Sequence, residues 1–192
     1  MRLLAFITAL AILTAGSGSV SAQSWKEYTY PQYAFGVSFP AEPTVETKSY
    51  QTAEGTSADS RVYSVVRANA VFTMTVVDLS GVQTDEKTVI DHAIKTLSQA
   101  GEVKLDIPHR ISRVYGRQLS IAGRDGSHAS IALFYHQKRL YQIQGLALPS
   151  GEDGTAEAIR FQQSLIFTNN AANRTLFEPV FQLVGRVFTN GG

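Results

Sequence analysis

The 192-residue sequence contains no cysteine. This excludes disulfides, thiolate metal sites, cysteine nucleophiles and the acylated cysteine of a lipoprotein. The fold must then be held by its own core, and a chain of this size can bury about 70% of its unfolded surface. Charge of one sign is lacking too, with 17 Lys and Arg against 16 Asp and Glu. Such a balance gives no bulk affinity for nucleic acid or for an anionic membrane. The spacings of familiar chemistry are also missing: there is no GxSxG or SxxK, no HxH, HExxH or HxxE, no P-loop lysine and no GxGxxG. Neither an internal repeat nor a low-complexity linker is found.

The chain begins with Arg2, an apolar stretch over residues 3–13, and small residues ending Ser-Val-Ser-Ala at Ala22. That is the layout of a secretory signal, and it predicts cleavage after Ala22 and a periplasmic protein. A membrane-spanning helix needs about 20 apolar residues. This stretch turns rich in Gly and Ser after Ala15, so no stable membrane anchor is expected after cleavage. The expected organisation is a signal peptide over 1–22, a single α+β domain over 23–170 and an apolar C-terminal tail over 171–192. Arg2 is the sole charged residue of the leader, so the remainder has formal net charge zero.

Most of that remainder alternates with period two, which predicts strands. Residues 25–30 (WKEYTY) and 34–39 (AFGVSF) are two. The second ends at Phe39-Pro40 because proline has no N–H to extend a ladder. Two more begin at Arg61 and Val71, with a turn at Asn69-Ala70. The period then changes. Thr84 is placed to cap a helix, Val89, Ile90, Ala93, Ile94 and Leu97 recur at helical spacing, and Gly101 ends the run. Strands return over 107–114 and 116–123. Asp125-Gly126 predicts a type I′ hairpin, and strands over 127–136 and 140–148 turn at Gln137-Lys138. After the polar loop PSGEDGT, Ala158, Ile159, Phe161, Leu165 and Ile166 predict a second amphipathic helix, capped by Asp153 or Thr155. In the tail, Phe177, Val180, Phe181, Val184 and Phe188 fit helical spacing, with Pro179 tolerable only in a first turn, and two alternatives are expected: a helix docked on the domain, or a mobile apolar segment that meets a partner.

Candidate sites are few. His128 and His136 share a strand face, but eight residues at about 3.4 Å each set them about 27 Å apart, too far to share an ion. His92 and His109 stand alone, and no metal or cofactor is expected. The loop from Gly151 to Gly154 reads as a flexible connection into a helix. Trp25, Tyr28, Tyr30, Tyr33 and Phe35 suit core packing better than a carbohydrate or lipid platform.

One charge asymmetry stands out. Residues 104–139 carry Lys104, Arg110, Arg113, Arg117, Arg124, Lys138 and Arg139 against Asp106 and Asp125 alone. Arg110, Arg113, Arg117 and Arg124 are therefore candidate partner-binding residues, through bidentate contacts to an acidic protein or an anionic ligand. The opposing reading is a solvated sheet face, with these arginines paired to the acidic excess of residues 23–103.

The run of elements, with FGVSFPAEP after an aromatic strand, Gly116 opening one strand, Leu140-Tyr141 another, and FQQSLIF in a closing helix, resembles small exported bacterial domains of the PsbP-like fold. That fold is shared with the extrinsic protein of the photosynthetic oxygen-evolving complex and with Ran-binding Mog proteins. The resemblance covers residues 25–168. It implies an antiparallel β-sheet sandwiched by helices, an α/β/α sandwich, and an accessory or scaffold role with no typical enzymatic activity. No family site residue can be matched here. The absent lipoprotein cysteine separates this chain from the tethered members.

Three functions are thus in play. The first is an accessory protein contacting another envelope protein, without catalysis. The second is a carrier of a small amphipathic ligand between the sheet and the helix over 84–100. The third is a hydrolase whose Ser or carboxylate cluster has no sequence signature.

Overall fold

The computed structural model describes residues 25–149 and 154–168. The expected leader over 1–22 and the tail over 171–192 lie outside the described residues. In chain order the elements are β1 (Lys26–Tyr30), a 3-10 turn (Pro31–Tyr33), β2 (Phe35–Phe39), β3 (Thr44–Gln51), β4 (Ser57–Val66), β5 (Ala70–Asp78) and α1 (Glu86–Leu97). A second 3-10 turn (Ser98–Ala100) leads into β6 (Gly101–Ile111), β7 (Val114–Gly123), β8 (His128–His136), β9 (Arg139–Ala147), α2 (Gly154–Gln162) and β10 (Ile166–Phe167).

Seven of these strands form one antiparallel sheet, in the order β3-β4-β5-β9-β8-β7-β6. Period-two alternation gives its central strands two apolar faces. Phe72, Met74 and Val76 of β5, Ala132 and Phe134 of β8, and Tyr141 and Ile143 of β9 enter one core. Val77, Ile131, Leu133 and Leu140 enter the other, beneath Val89, Ile90 and Ala93 of α1. The first core is closed by α2 and by a separate three-stranded sheet, β1-β2-β10. The fold is thus α+β, an antiparallel sheet with a helix on each face. The extra small sheet was not anticipated, because β10 is only two residues long.

Local chemistry explains where elements begin and end. Phe39 is fully buried as the last residue of β2, and Pro40 follows it outside the strand. Helix α1 is capped by Asp85 rather than Thr84. The Asp85 carboxylate accepts from the Thr88 N–H at 2.9 Å and from the Thr88 hydroxyl at 2.9 Å. Those bonds hold its carboxyl below the usual range. At the second helix Thr155 lies inside α2, so it is not the cap, and Asp153 lies outside the described residues.

Several expected boundaries move. The turn between β4 and β5 spans Arg67 to Asn69, ahead of the expected Asn69-Ala70, with the Arg67 N–H donating to the Ala70 carbonyl at 2.8 Å. The hairpin at Asp125-Gly126 is not type I′, because of the two residues only Gly126 has positive φ (86°). It is a three-residue loop closed by the Gly123 N–H donating to Ser127 O. The two positive φ values that a type I′ turn requires occur at Gln137 (50°) and Lys138 (57°). Strand β3 and the first half of β6 were missed. Their sequences, TVETKSYQ and GEVKLD, lie at the two sheet edges and are mostly exposed. No buried face imposed an apolar alternation on them.

One contact seats α2. A Cβ on Gly145 of β9 would lie 2.3 Å from the Ala158 carbonyl oxygen and 2.5 Å from its Cα. Glycine therefore lets helix and sheet touch backbone to backbone. This places Phe161 with its ring centroid 5.3 Å from that of Phe72 and 4.9 Å from that of Phe39. Ile159 and Ile166, expected on the buried side, are exposed instead: Ile159 turns outward from α2, and Ile166 belongs to β10 because the helix ends at Gln162. Gly145→Ala must push α2 off the sheet. The expected cost is about 1–3 kcal/mol, or a fall in Tm of about 2–10 °C. Urea and thermal unfolding measure it, and unchanged stability would contradict this seating.

Candidate functional site

The edge strand β6 pairs with β7 in the register Asp106↔Leu119, Pro108↔Arg117, Arg110↔Tyr115. Cross-strand partners share a face, so Asp106, Arg110, Tyr115 and Arg117 lie on the α1 side of the sheet. The Arg117 Nε and Nη2 donate to Asp106 Oδ1 at 2.8 and 2.6 Å. Arg117 is thereby committed within the hairpin, where it reinforces the register. Arg110 is not so bound: its guanidinium carbon stands 5.8 Å from the Tyr115 ring centroid, over a ring that is 63% exposed. Arg113 is exposed in the adjoining turn, beside Ser112 with φ 56°.

Arg124 stands apart from these three. It follows the far end of the ten-residue strand β7, about 30 Å from Arg113. There it lines a cavity of about 350 Å³ between the C-terminal end of α1 and the sheet. Leu97, Ile121, Ala129, Ile131 and Leu146 give the cavity an apolar floor, while Arg124, Asp125 and Ser127 supply its polar rim. Asp125 Oδ1 accepts from the Ser127 hydroxyl at 2.6 Å and the Ser127 N–H at 3.0 Å. These bonds hold the Asp125 carboxyl below its usual range. Asp125 is the group that accepts the Ser127 hydroxyl proton there, and neither histidine nor lysine is among the lining residues. The cavity can hold an apolar chain with an anionic group toward Arg124.

A second, polar cleft of about 210 Å³ opens between the Pro31–Tyr33 turn and β3–β5. It is lined by Tyr33, Thr47, Asp59, Ser60, Arg61 and Asp78. Arg139 lies beside it, 5.9 Å from the Tyr33 ring centroid. Hydrogen bonds from Ser80 hold the Asp78 carboxyl below its usual range, with Arg139 adding to the effect. Nearby, burial pushes the Tyr63 phenol up to about 12 and raises that of Tyr141, whose hydroxyl donates to the Tyr33 carbonyl at 2.8 Å. Sequence reasoning missed this cleft because separate segments each contribute one to three residues, and no spacing announces them.

Among the described residues no group of three or more His, Asp or Glu is placed to hold a metal ion. His109 packs against Phe134, with centroids 5.6 Å apart, and His136 against Phe167 at 5.5 Å. The aromatic residues from Trp25 to Phe35 also pack inward. Trp25 meets Phe72 edge-on at 5.3 Å, and Tyr30 stacks on Phe35 at 4.9 Å.

No protein-family model matches the chain, and no curated protein matches it. Among solved structures, it is similar to that of cyanobacterial PsbP (CyanoP) from Synechocystis sp. PCC 6803. The TM-score is 0.51 at 13% identity, over 80% of this chain and 98% of that one. A protein of unknown function from Pseudomonas aeruginosa, PA94, titled a putative regulator, matches with TM-score 0.37 at 9% identity, over 71% of this chain and 91% of that one. The CyanoP match establishes a PsbP-like fold, as the sequence resemblance implies. It carries no residue role.

Partial burial lowers the pKa of both His109 and His136 from 6.5. The unfolded chain therefore binds more protons than the native one below neutrality. Their stabilising contribution is full above pH 6.5 and is lost as the pH falls from about 6.5 toward the lowered native values. Denaturation at pH 7.5 and 5.5 should show a loss of stability that is smaller in His109→Gln/His136→Gln. An equal loss in the variant would contradict this assignment.

Proposed function

We propose that this chain is an exported, periplasmic, non-catalytic accessory protein that contacts another envelope protein through the tip of the β6–β7 hairpin. The observation that carries this reading is the Arg110–Tyr115 pair, stacked and open to solvent beside the exposed Arg113. Tyrosine and arginine are the residue types that most often anchor interfaces. A stacked pair is also partly preorganised, which lowers the entropy lost on binding. Two guanidinium groups at the tip favour an acidic partner surface. The signal-like layout of residues 1–22 supports an exported location, and no helix among the described residues is long and apolar enough to cross a membrane.

Affinity capture from envelope extract of the native host tests this. Wild type should retain a specific partner, and Arg110→Glu/Arg113→Glu/Tyr115→Ser should retain about tenfold less. Exposed substitutions of this kind usually change stability by no more than about 0.5 kcal/mol. Arg117 is unsuited to the test because its loss also breaks the ion pair with Asp106. Equal retention by the variant, or nothing specific on wild type, would overturn the reading.

The cavity under α1 favours a second reading, a site for a small amphipathic ligand with an anionic head. At about 350 Å³ it falls at the small end of ligand pockets, which run from about 300 to 1,000 Å³. Native mass spectrometry of protein purified from its own host should then show a bound mass that Arg124→Glu reduces. A clean apo mass would remove it.

A further inference from the structure

The large sheet has two edges, β3 and β6, and they are finished differently. An open edge presents unpaired N–H and C=O groups that invite another strand, and bulges or prolines blunt it. Strand β6 carries both, a register shift between Val103 and Leu105 and a proline at Pro108. Strand β3 carries neither. It runs against β4 in one unbroken register from Thr44↔Ser64 to Gln51↔Ser57. All its residues but Tyr50 are exposed, and among the described residues no strand pairs with its outer side.

The hairpin that ends β3 sets which of its backbone groups face outward. The Thr52 N–H donates to the Thr56 carbonyl at 2.8 Å, so Thr52 turns its backbone toward β4. In an antiparallel pair the bonded residues alternate. Tyr50, Lys48, Glu46 and Thr44 therefore also bond to β4, while Val45, Thr47, Ser49 and Gln51 turn their N–H and C=O groups out of the sheet. Two side-chain bonds fit this phase. The Lys48 carbonyl, on the inner side, also accepts from the Ser60 hydroxyl of β4 at 2.9 Å. The Gln51 carbonyl, on the outer side, accepts from His92 Nε2 of α1 at 2.9 Å.

Charge then selects the strand that fits. Glu46 and Lys48 stand on one face of this edge, ion-paired at 2.8 Å and each more than half exposed. Two copies of β3 running antiparallel can bond only where outward residues meet outward residues. The two longest such registers pair seven residues of each strand, 44–50 about Thr47 or 45–51 about Lys48. The register about Lys48 sets that lysine against its own counterpart, at a non-bonded position where side chains come closest. The register about Thr47 instead sets Glu46 of each copy against Lys48 of the other. We infer that two copies of this chain associate edge to edge through β3, antiparallel about a two-fold axis at Thr47. The contact is isologous: Thr47 exchanges both backbone bonds with its counterpart, Val45 bonds with Ser49 of the second copy, and the four charges alternate in sign across the axis. The β6–β7 hairpin lies at the other edge of the same sheet, so the dimer leaves both of its tips free.

A contact of this size belongs to the weak, transient class, so dilution dissociates it. Sedimentation of protein purified from its own host should give a mass that rises toward twice the monomer's between about 10 μM and about 1 mM. Over that range Glu46→Lys alone and Lys48→Glu alone should stay monomeric, since each sets like charges face to face on both sides of the axis. An equimolar mixture of these two variants should associate as wild type does, because the lysines of one strand then face the glutamates of the other. The exchanged variant Glu46→Lys/Lys48→Glu should likewise dimerise by itself. A wild type that stays monomeric throughout, single variants that dimerise as it does, or a mixture that fails to associate would each overturn the inference.

Discussion

The backbone of Ala158 rests on the backbone of Gly145, and the layout of the α2 face follows from that contact. It brings α2 close enough for Phe161 to reach Phe72, Phe39 and the indole of Trp25. Those rings fix β1 and β2 as a lid of their own rather than as further strands of the large sheet. The same contact determines what stays open. A helix seated on β9 shields β8 and leaves the same face of β7 and β6 half-covered.

Much of this was legible in the sequence because the central strands are buried on one or both faces. Alternation in AFGVSF, VFTMTVVDL, SHASIALFYH and LYQIQGLAL is forced by burial, so their positions could be read from one chain. The helical spacing from Val89 to Leu97 was equally clear. Elements at the edges of the sheet escaped because nothing buries them. Strand β3 carries Thr, Glu, Lys and Ser on both faces, and β6 starts six residues before the expected Ile107. The I′ turn was misplaced because Gln137 and Lys138 adopt positive φ without glycine, held by the flanking His136↔Arg139 pairing.

Site geometry was less legible for a different reason. The four arginines are close in sequence and look like one basic ribbon, but pairing distributes them. Arg117 faces Pro108 and reaches Asp106, Arg110 stacks on Tyr115, and Arg124 is carried the length of β7 to the cavity at the other end. Cross-strand register, which no local pattern encodes, separates Arg117, which holds the hairpin together, from Arg110, which faces outward beside Arg113 of the turn. The cavity beneath α1 draws its lining from separate segments, α1 and β7 to β9, and no local spacing announces it.

The proposed contact surface is small, polar and exposed at one corner of the molecule, so its test must report position as well as binding. Photo-crosslinking in living host cells does this, with a photoreactive amino acid placed singly at Arg113, at Tyr115 and, on the opposite edge strand, at Lys48. The account predicts a discrete adduct with another exported protein from positions 113 and 115 and, from position 48, none but a dimer of the chain itself. Adducts with other proteins in equal yield from all three positions, or none from the hairpin tip, would contradict it.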